Sequence, residues 1–600
     1  MTIPHAPGPA YLGVERSILG RPWRARLDKS GEALAQTLTQ AHGVDDLTAR
    51  ILAGRGVDVA AAAQYLDPTL RELMPDPSSL QDMDAAVARL AQAIEWGEKI
   101  AVFGDYDVDG ACSGALLVDY WRTAGAPEPL LHIPDRIFEG YGPNIEAIRS
   151  LAGQGATVLV TVDCGTTSHA ALAEARALGM DAIVLDHHQA PVDLPNAIVV
   201  NPNRQDDLSG QGGLCAAGVV FLTLVALSRE LRRRDWWTPS RPAPELLAAL
   251  DLIALATVAD VAPLTGLNRA FVVKGLSVMH GRARAGLSAL IDAARLEGPV
   301  RASHLGFALG PRINAGGRIG DASLGARLLT LADPTESARL AQELDRLNTE
   351  RRVIEQHTLE TAIAQAEAEM MKPNRLSCLV VAGDDWHPGV VGLIASRLKE
   401  RFNVPSFAIA FNGEKGTSSG RSLSGVDIGR VVQQCVQLGL VEKGGGHAMA
   451  AGVTLTRAQL DGFRAHLNAT LAEKVETVQA ADALIVDSAV SGRGVNTELL
   501  RRLEKAGPFG QGNPEPVFVL PEQRLIDTTL VGGSHLRTRL RSGDGANVDA
   551  MAFRAAGAPL GEALTQGRGE LFHVAVRITP NHFRGVERAQ CAIIDAAPAL

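Results

Sequence analysis

Three aspartates alternate behind a short apolar run. Ile100-Ala101-Val102-Phe103 leads into Gly104-Asp105-Tyr106-Asp107-Val108-Asp109-Gly110. The run reads as a buried strand, and if the chain stays extended past its end, Asp105, Asp107 and Asp109 face the same side. Like charges so close repel, and a hard divalent cation with oxygen ligands is their natural compensation. An acidic loop after a strand is the plainer alternative. Later residues tilt the balance. Asp163 follows the apolar Thr157 to Val162, and Asp186-His187-His188 follows Ala182 to Leu185. Asp260 closes the apolar stretch Leu252 to Ala259, where it could cap a following turn or ligate a metal.

Singly, an aspartate after a strand is a turn residue or helix cap. Jointly, D-x-D-x-D, then D, then D-H-H, then D is hard to reach by chance. Mixed carboxylate and imidazole donors suit Mn²⁺ or Mg²⁺ better than a thiolate-seeking metal. Two such ions, with Asp163 able to bridge them, fit in-line phosphoester hydrolysis. Adjacent residues on an extended end face opposite ways, so His187 and His188 divide between metal and substrate, and Asp186 could orient one of them through its second ring nitrogen.

These residues need a parallel sheet to bring them together. Strand-like runs Ile100 to Phe103, Leu130 to Ile133, Thr157 to Val162, Ala182 to Leu185 and Ile198 to Val200 alternate with helical runs 111–123, 144–152 and 168–178. That rhythm predicts an α/β domain with helices on both faces of its sheet and a site at the carboxyl ends of the strands. Asp333-Pro334-Thr335-Glu336 opens a long helix, with Asp333 as N-cap, Pro334 at N1 and Glu336 reaching back; it runs towards Met371 and stops before Pro373. A second α/β pattern starts near Ser377 and contains the glycine-rich segments 413–425 and 444–452. The strands Phe518 to Leu520, Leu525 to Leu530, Leu536 to Leu540, Val548 to Ala552 and Leu571 to Ile578 suggest an OB-type barrel. The expected division is a helical lead-in packed on the first domain (1–83), a catalytic domain (84–332), a connector helix (333–373), a second α/β domain (374–475) and the barrel (476–600).

A chain of 600 residues exceeds one core. Its net charge of −9 gives no whole-chain basic signature for nucleic acid, although a local basic groove can bind phosphates. The six cysteines form no C-x-x-C pair, which argues against a disulfide framework or a zinc knuckle and fits a reducing compartment. The first residues lack a secretion signal and the longest apolar run is too short for a membrane span, so the cytoplasm is the expected compartment. The Arg232 to Trp237 segment reads either as a surface insertion that stacks on a nucleic-acid strand or as a solvated loop.

Asp107-Val108-Asp109-Gly110, Val162-Asp163-Cys164-Gly165, Asp186-His187-His188 and Ala259-Asp260 resemble the four motifs of the DHH phosphoesterases. Gly444 to Gly452 resembles the glycine-rich motif of the domain that accompanies them. Gly310 to Arg318 and Pro508 to Pro514 are similar to the bacterial RecJ branch of that family. The resemblance implies a single-stranded-DNA-specific exonuclease that works 5′ to 3′ in DNA repair and recombination and needs Mn²⁺ or Mg²⁺, with two ions expected. It implies metal ligation by Asp107, Asp109, Asp163, His187 and Asp260, a neighbouring acidic role for Asp105 that touches the metal directly or through a ligand, and a place for His188 facing the scissile phosphate. Phe103 stands where other branches have a ligating histidine. Expected partners are single-stranded DNA, the single-stranded-DNA-binding protein and a RecQ-type helicase, with the chain a monomer and no membrane.

Within that resemblance, Ser419, Gly420 and Arg421 read as an anion-binding turn which, with Gly445, Gly446 and His447, could hold a terminal phosphate; a structural β-turn and a tight loop are the alternatives. Arg312 and Arg318 flank a flexible glycine pair and could hold the strand backbone. A rival on the same core is a hydrolase of short RNA or cyclic dinucleotides, which would not need the barrel. A non-catalytic DNA-binding scaffold is the other, and it would have lost ligand positions that here stand intact.

Overall fold

The computed structural model describes residues 10–136, 138–372, 376–583 and 586–599. Five parallel strands form the first sheet in the order Leu130–His132, Ile100–Gly104, Val158–Val162, Asp181–Leu185, Ile198–Val200. Alternate residues feed two different cores. Val102, Val160 and Ile183 pack with the helices Met83–Trp96, Val108–Ala124 and Ala216–Arg233. Ala101, Phe103, Leu159 and Val184 pack with Ile145–Gly153 and His169–Ala177. A sheet buried on both faces is why its strands read as unbroken apolar runs. Phe103 belongs to the second of these cores, 5.0 Å ring to ring from His132.

The register sets up the site. Gly104 lies opposite Val162, and Val162 opposite Leu185. The next residue on each strand is therefore Asp105, Asp163 and Asp186, in one row along the carboxyl edge. One expectation fails beside it. The chain does not stay extended after Asp105, because Asp107 caps the helix Val108–Ala124 by accepting from the Asp109 and Gly110 amides. Asp109 thus sits in the first helical turn. Gly110 permits this tight entry, since a Cβ there would meet the Asp105 carbonyl oxygen at 2.4 Å.

The helix Pro334–Met370 contributes to two cores. Leu340, Leu344 and Leu347 complete the first domain's core, and Ala362 and Ala366 belong to the core of the second. At about 1.5 Å per residue it is roughly 55 Å long. Asp333 accepts from the Glu336 amide as expected, but the Glu336 carboxylate turns to Arg339 instead of reaching back. The expected helix end at 373 and domain start at 374 lie outside the described residues.

The second sheet runs Lys443–Gly446, Ala450–Thr456, Lys415–Arg421, Ser406–Asn412, Leu379–Gly383. Ser419, Gly420 and Arg421 therefore end a strand and do not form a turn, and Gly445 and Gly446 are likewise in a strand. Gly420 is a packing residue: a Cβ would meet the Phe407 ring at 2.3 Å. The C-terminal sheet closes as Phe518–Val531, His535–Arg541, Asn547–Ala552, Val586–Pro598 and Leu571–Phe583, the last pairing back to the first. Two expected strands are one long strand whose register slips between Leu520 and Gln523, next to Pro521, and Val586–Pro598 is a strand the sequence reading missed.

The N-terminal segment packs on the barrel as much as on the first domain. Trp23–Ala25 pairs with Leu484–Val486, the Trp23 indole donates to Asp595, and Ile51 enters the barrel core, while Leu70 and Leu73 touch the first domain. Trp236 and Trp237 are half-buried, donating to the Ala124 and Ser228 carbonyls, and Arg241 covers the Trp236 ring at 3.6 Å. Packed in this way, they are not free stacking platforms. Among the described residues no helix is long and apolar enough to cross a membrane.

Candidate metal centre and phosphate pocket

The strand ends and the end of the helix Leu250–Ala259 bring every expected metal-competent residue together. Donor atoms of Asp105, Asp107 and Asp163 lie within 4.8 Å of one another, as do those of Asp109, His187 and Asp260, and those of Asp163, His187 and His188. Asp109 is fully buried. Its two carboxylate oxygens accept from the Ala216 and Ala217 amides at 2.6 and 2.8 Å, at the positive end of the helix Ala216–Arg233. His187 Nδ1 faces the Leu214 carbonyl at 3.1 Å. Donation there leaves Nε2 as the lone-pair nitrogen, 3.2 Å from Asp163 and 3.8 Å from Asp109, which is the arrangement of a metal-ligating imidazole.

The two histidines do not split to opposite sides. Their rings are 4.7 Å apart, and His188 Nδ1 is 4.0 Å from the same Asp163 oxygen, because both residues lie past the strand end at Leu185. Asp186 does orient a histidine, namely His188, accepting from Nδ1 at 2.8 Å. Thr166 donates to Asp186, and Asn201 donates to both Thr166 and the His188 carbonyl. Asn203 holds the His187 carbonyl at 2.5 Å. This supporting layer was not read from the sequence, where Asn201 and Asn203 look like ordinary turn residues. Tyr141, whose hydroxyl donates to the Asp163 carbonyl at 3.0 Å, was also missed.

The electrostatics ask for a cation. Burial, and then Asp109, Asp107, Asp105 and Asp260, hold the Asp163 carboxyl well above the ordinary range. Burial, with Asp109 and Asp107, pushes Asp260 up to about 8. Asp105 Oδ1 is buried and has no hydrogen-bond partner among the described residues. An orphaned oxygen among repelling carboxylates and one lone-pair imidazole is a donor set that fits hard divalent ions. His188 is different: burial lowers its pKa, but the Asp186 bond and charge outweigh that and raise it to about 9.

These shifts have a testable sign. With folded-state values raised above 3.8, the metal-free native protein holds more protons than the unfolded chain up to about 8, so its stability falls as pH rises through that window. Adding Mn²⁺ to metal-free protein should therefore raise the melting temperature by several degrees at about pH 8 and by much less at about pH 5, where protons already relieve the repulsion. Equal shifts in a calorimetric titration at both pH values would contradict this.

Across the cleft, the second domain presents His447, whose ring stands 6.4 Å from that of His188. Beside it Arg421 donates to Ser419 Oγ and to the Gly420 carbonyl, next to the start of the helix Val391–Phe402. Gly392 lies in that first turn, where a Cβ would be 3.1 Å from both Ser419 Oγ and Arg421. Arg318 donates to the Gly389 carbonyl. Burial, then Arg136, Arg351 and Arg421, lower Arg318 to about 10, and burial followed by Arg136 lowers Arg421. These cations crowd one another, and none of Arg136, Arg318 and Arg421 forms an ion pair among the described residues. Arg136 was missed: it follows Pro134-Asp135 in a stretch without pattern. Arg312 is not part of this pocket. It is buried, ion-paired with Asp345 of the connector helix at 2.8 Å, and donates to the Ala308 carbonyl. The glycine pair between Arg312 and Arg318 lies inside the helix Gly310–Ile319, with Gly316 packed on Asp321 and Gly317 on Tyr106.

Three family profiles match the chain in sequence order: the DHH family, N-terminal domain, over residues 99–257; the DHHA1 domain over 375–473; and the RecJ OB domain over 486–595. The fold and the acidic, histidine-bearing strand ends are thus those of a DHH-family protein. The single-stranded-DNA-specific exonuclease RecJ of Salmonella typhimurium is 37% identical over 563 residues, covering 92% of this chain and 96% of the relative. The Escherichia coli protein of the same name is 36% identical with the same coverage. The crystal structure of RecJ in complex with Mn²⁺ from Thermus thermophilus superposes with a TM-score of 0.77 at 30% identity, over 96% of this chain and 80% of that one. The chain belongs to the RecJ family.

Proposed function

We propose that this chain is a divalent-cation-dependent exonuclease that hydrolyses the phosphodiester bonds of single-stranded DNA from the 5′ end. The observation that carries the reading is the meeting of an acidic, histidine-lined centre with an unpaired arginine pocket across one narrow cleft. Asp105, Asp107 and Asp163 would hold one ion and Asp109, His187 and Asp260 a second, with Asp163 between them. When bound, Mn²⁺ or Mg²⁺ supplies an activated water and charge for the leaving oxygen.

The chain's own groups do the rest. The Ala216 and Ala217 amides fix the Asp109 carboxylate, and the Leu214 carbonyl fixes the His187 tautomer. Asp186 keeps His188 positively charged, so that its ring can donate to a phosphate oxygen where negative charge builds. Arg136, Arg318, Ser419 and Arg421, with the Val391 helix start, would seat a terminal phosphate, and His447 would close the pocket from the second domain beside Gly445 and Gly446. In functional terms the units would be 84–332 for catalysis, 374–475 for the strand end and 476–600 for strand binding, with the helix Pro334–Met370 between the first two. The family resemblance supports a monomer in the cytoplasm, acting with the single-stranded-DNA-binding protein and a RecQ-type helicase.

The His188 and His447 rings face each other 6.4 Å apart across the cleft, a constriction that a duplex cannot enter. End-labelled single strands should be digested with Mn²⁺ or Mg²⁺ and not with chelator, while blunt duplex resists under all conditions. Efficient digestion of a sealed blunt duplex without a helicase would overturn the reading.

A further inference from the structure

A turn of the barrel domain packs on the segment that follows Asp260. Gly510 and Asn513 close this turn with reciprocal backbone hydrogen bonds of 2.9 and 3.2 Å, and Gly512 within it has φ +74°. The buried Asn513 side chain braces the turn from inside by donating to the Ala506 and Pro508 carbonyls. Its partner is the segment 261–265, between Asp260 and the helix Gly266–His280. The Leu264 amide donates to the Gln511 carbonyl at 2.7 Å. A Cβ at Gly510 would lie 2.8 Å from the Leu264 side chain, and one at Gly512 3.2 Å from Pro263. Arg269, on the helix Gly266–His280, is fully buried and donates to the Lys505 and Ala506 carbonyls, which fixes the contact at its base.

The segment 261–265 in turn supports every member of one metal-competent group. Asp260 precedes it directly. Val261 has φ +60°, a conformation that a β-branched residue keeps only where its surroundings impose it. Asn268 donates to the Pro263 carbonyl at 3.1 Å and to the Gly213 carbonyl at 2.6 Å, and a Cβ at Gly213 would lie 3.2 Å from the Pro263 ring. Gly213 immediately precedes Leu214, whose carbonyl faces His187 Nδ1, and the Ala216 and Ala217 amides just beyond hold Asp109. Asp109, His187 and Asp260 thus rest on one patch, and the barrel turn is its outer layer. The other group is built differently: Asp105 and Asp163 follow strands of the sheet and Asp107 caps a helix, all within the catalytic domain. Resting on the two-ion reading above, we propose that the barrel turn 510–513 is a positioning element for the ion held by Asp109, His187 and Asp260. Its docking sets the affinity for that ion and leaves the ion of Asp105 and Asp107 alone. Outer partners that orient ligands act on metal affinity in this way. The domain that binds the strand would then also complete the centre that cuts it.

The test is titration of the metal-free full chain with Mn²⁺, bound ions being counted from the loss of the free-ion electron paramagnetic resonance signal. Wild type is compared with Gly512→Val and Asn268→Ala. Valine at Gly512 drives a side chain onto Pro263 from a backbone of positive φ. Asn268→Ala leaves the turn as it is and cuts the tie between Pro263 and Gly213. Wild type should bind two ions. Each variant should bind one ion as tightly as wild type does and the other about tenfold more weakly. The unchanged ion reports that the fold is intact, which a general loss of stability would not give. Gly512→Val combined with Asp260→Asn should weaken the affected ion by less than the product of the two single effects, because both act on one site. Normal binding of both ions by both variants, or equal weakening of both ions by both, would overturn the proposal. Fewer than two ions on wild type would instead fail the two-ion reading, and the proposal with it.

Discussion

Asp163→Ala should lower turnover by roughly two to three orders of magnitude even in saturating Mn²⁺, the scale on which loss of a preorganised charged group acts. No other carboxylate can take over. Asp163 is the residue that shares donor groups with Asp105 and Asp107 on one side and with both histidines on the other. The same substitution should leave the metal-free protein as stable as wild type or more so, because it removes a buried carboxylate repelled by four neighbours. Its melting temperature should then rise less on adding Mn²⁺. Catalysis and metal-free stability moving in opposite directions separates a lost ligand from a damaged fold. Near-wild-type turnover would remove Asp163 from the centre.

Arg421→Ala should cost about one to two decades of efficiency on 5′-phosphorylated strands and much less on 5′-hydroxyl strands. A charge-assisted hydrogen bond to a phosphate contributes about 1.5–3 kcal/mol, and Arg421 already has Ser419 to hold its guanidinium in place. The pocket is crowded with like charge, so removing one arginine from the free protein relieves repulsion and its cost appears only with the anion bound. Arg136→Ala should act in the same direction, and the double substitution should be less than additive if both touch one phosphate. Equal losses on the two kinds of strand end would show that Arg421 does not read the end.

The candidate metal centre was legible because parallel strands end in register. An acid after each apolar run in the sequence becomes a row in space, as Asp105, Asp163 and Asp186 do. What misled was local. Extended geometry after Phe103 could not anticipate that Asp107 caps a helix. The glycines around Ser419 looked like turn residues, whereas Gly420 makes room for the Phe407 ring within a sheet. Arg312 and Arg318 looked alike in one motif, yet the helix sends one to Asp345 and the other towards Gly389. Arg136 carried no signal, since its role depends on a domain more than two hundred residues away. The same limit explains the N-terminal segment, whose Trp23 finds Asp595 at the other end of the chain.

The most direct test follows the products of a single strand labelled at its 3′ end, digested with Mn²⁺ by wild type under single-turnover conditions. A metal-dependent 5′-to-3′ exonuclease should give a ladder in which the label persists on steadily shorter strands, mononucleotides released from the 5′ end, and silence when chelator replaces the metal. Immediate release of the label as a mononucleotide, or digestion that survives chelation, would contradict it.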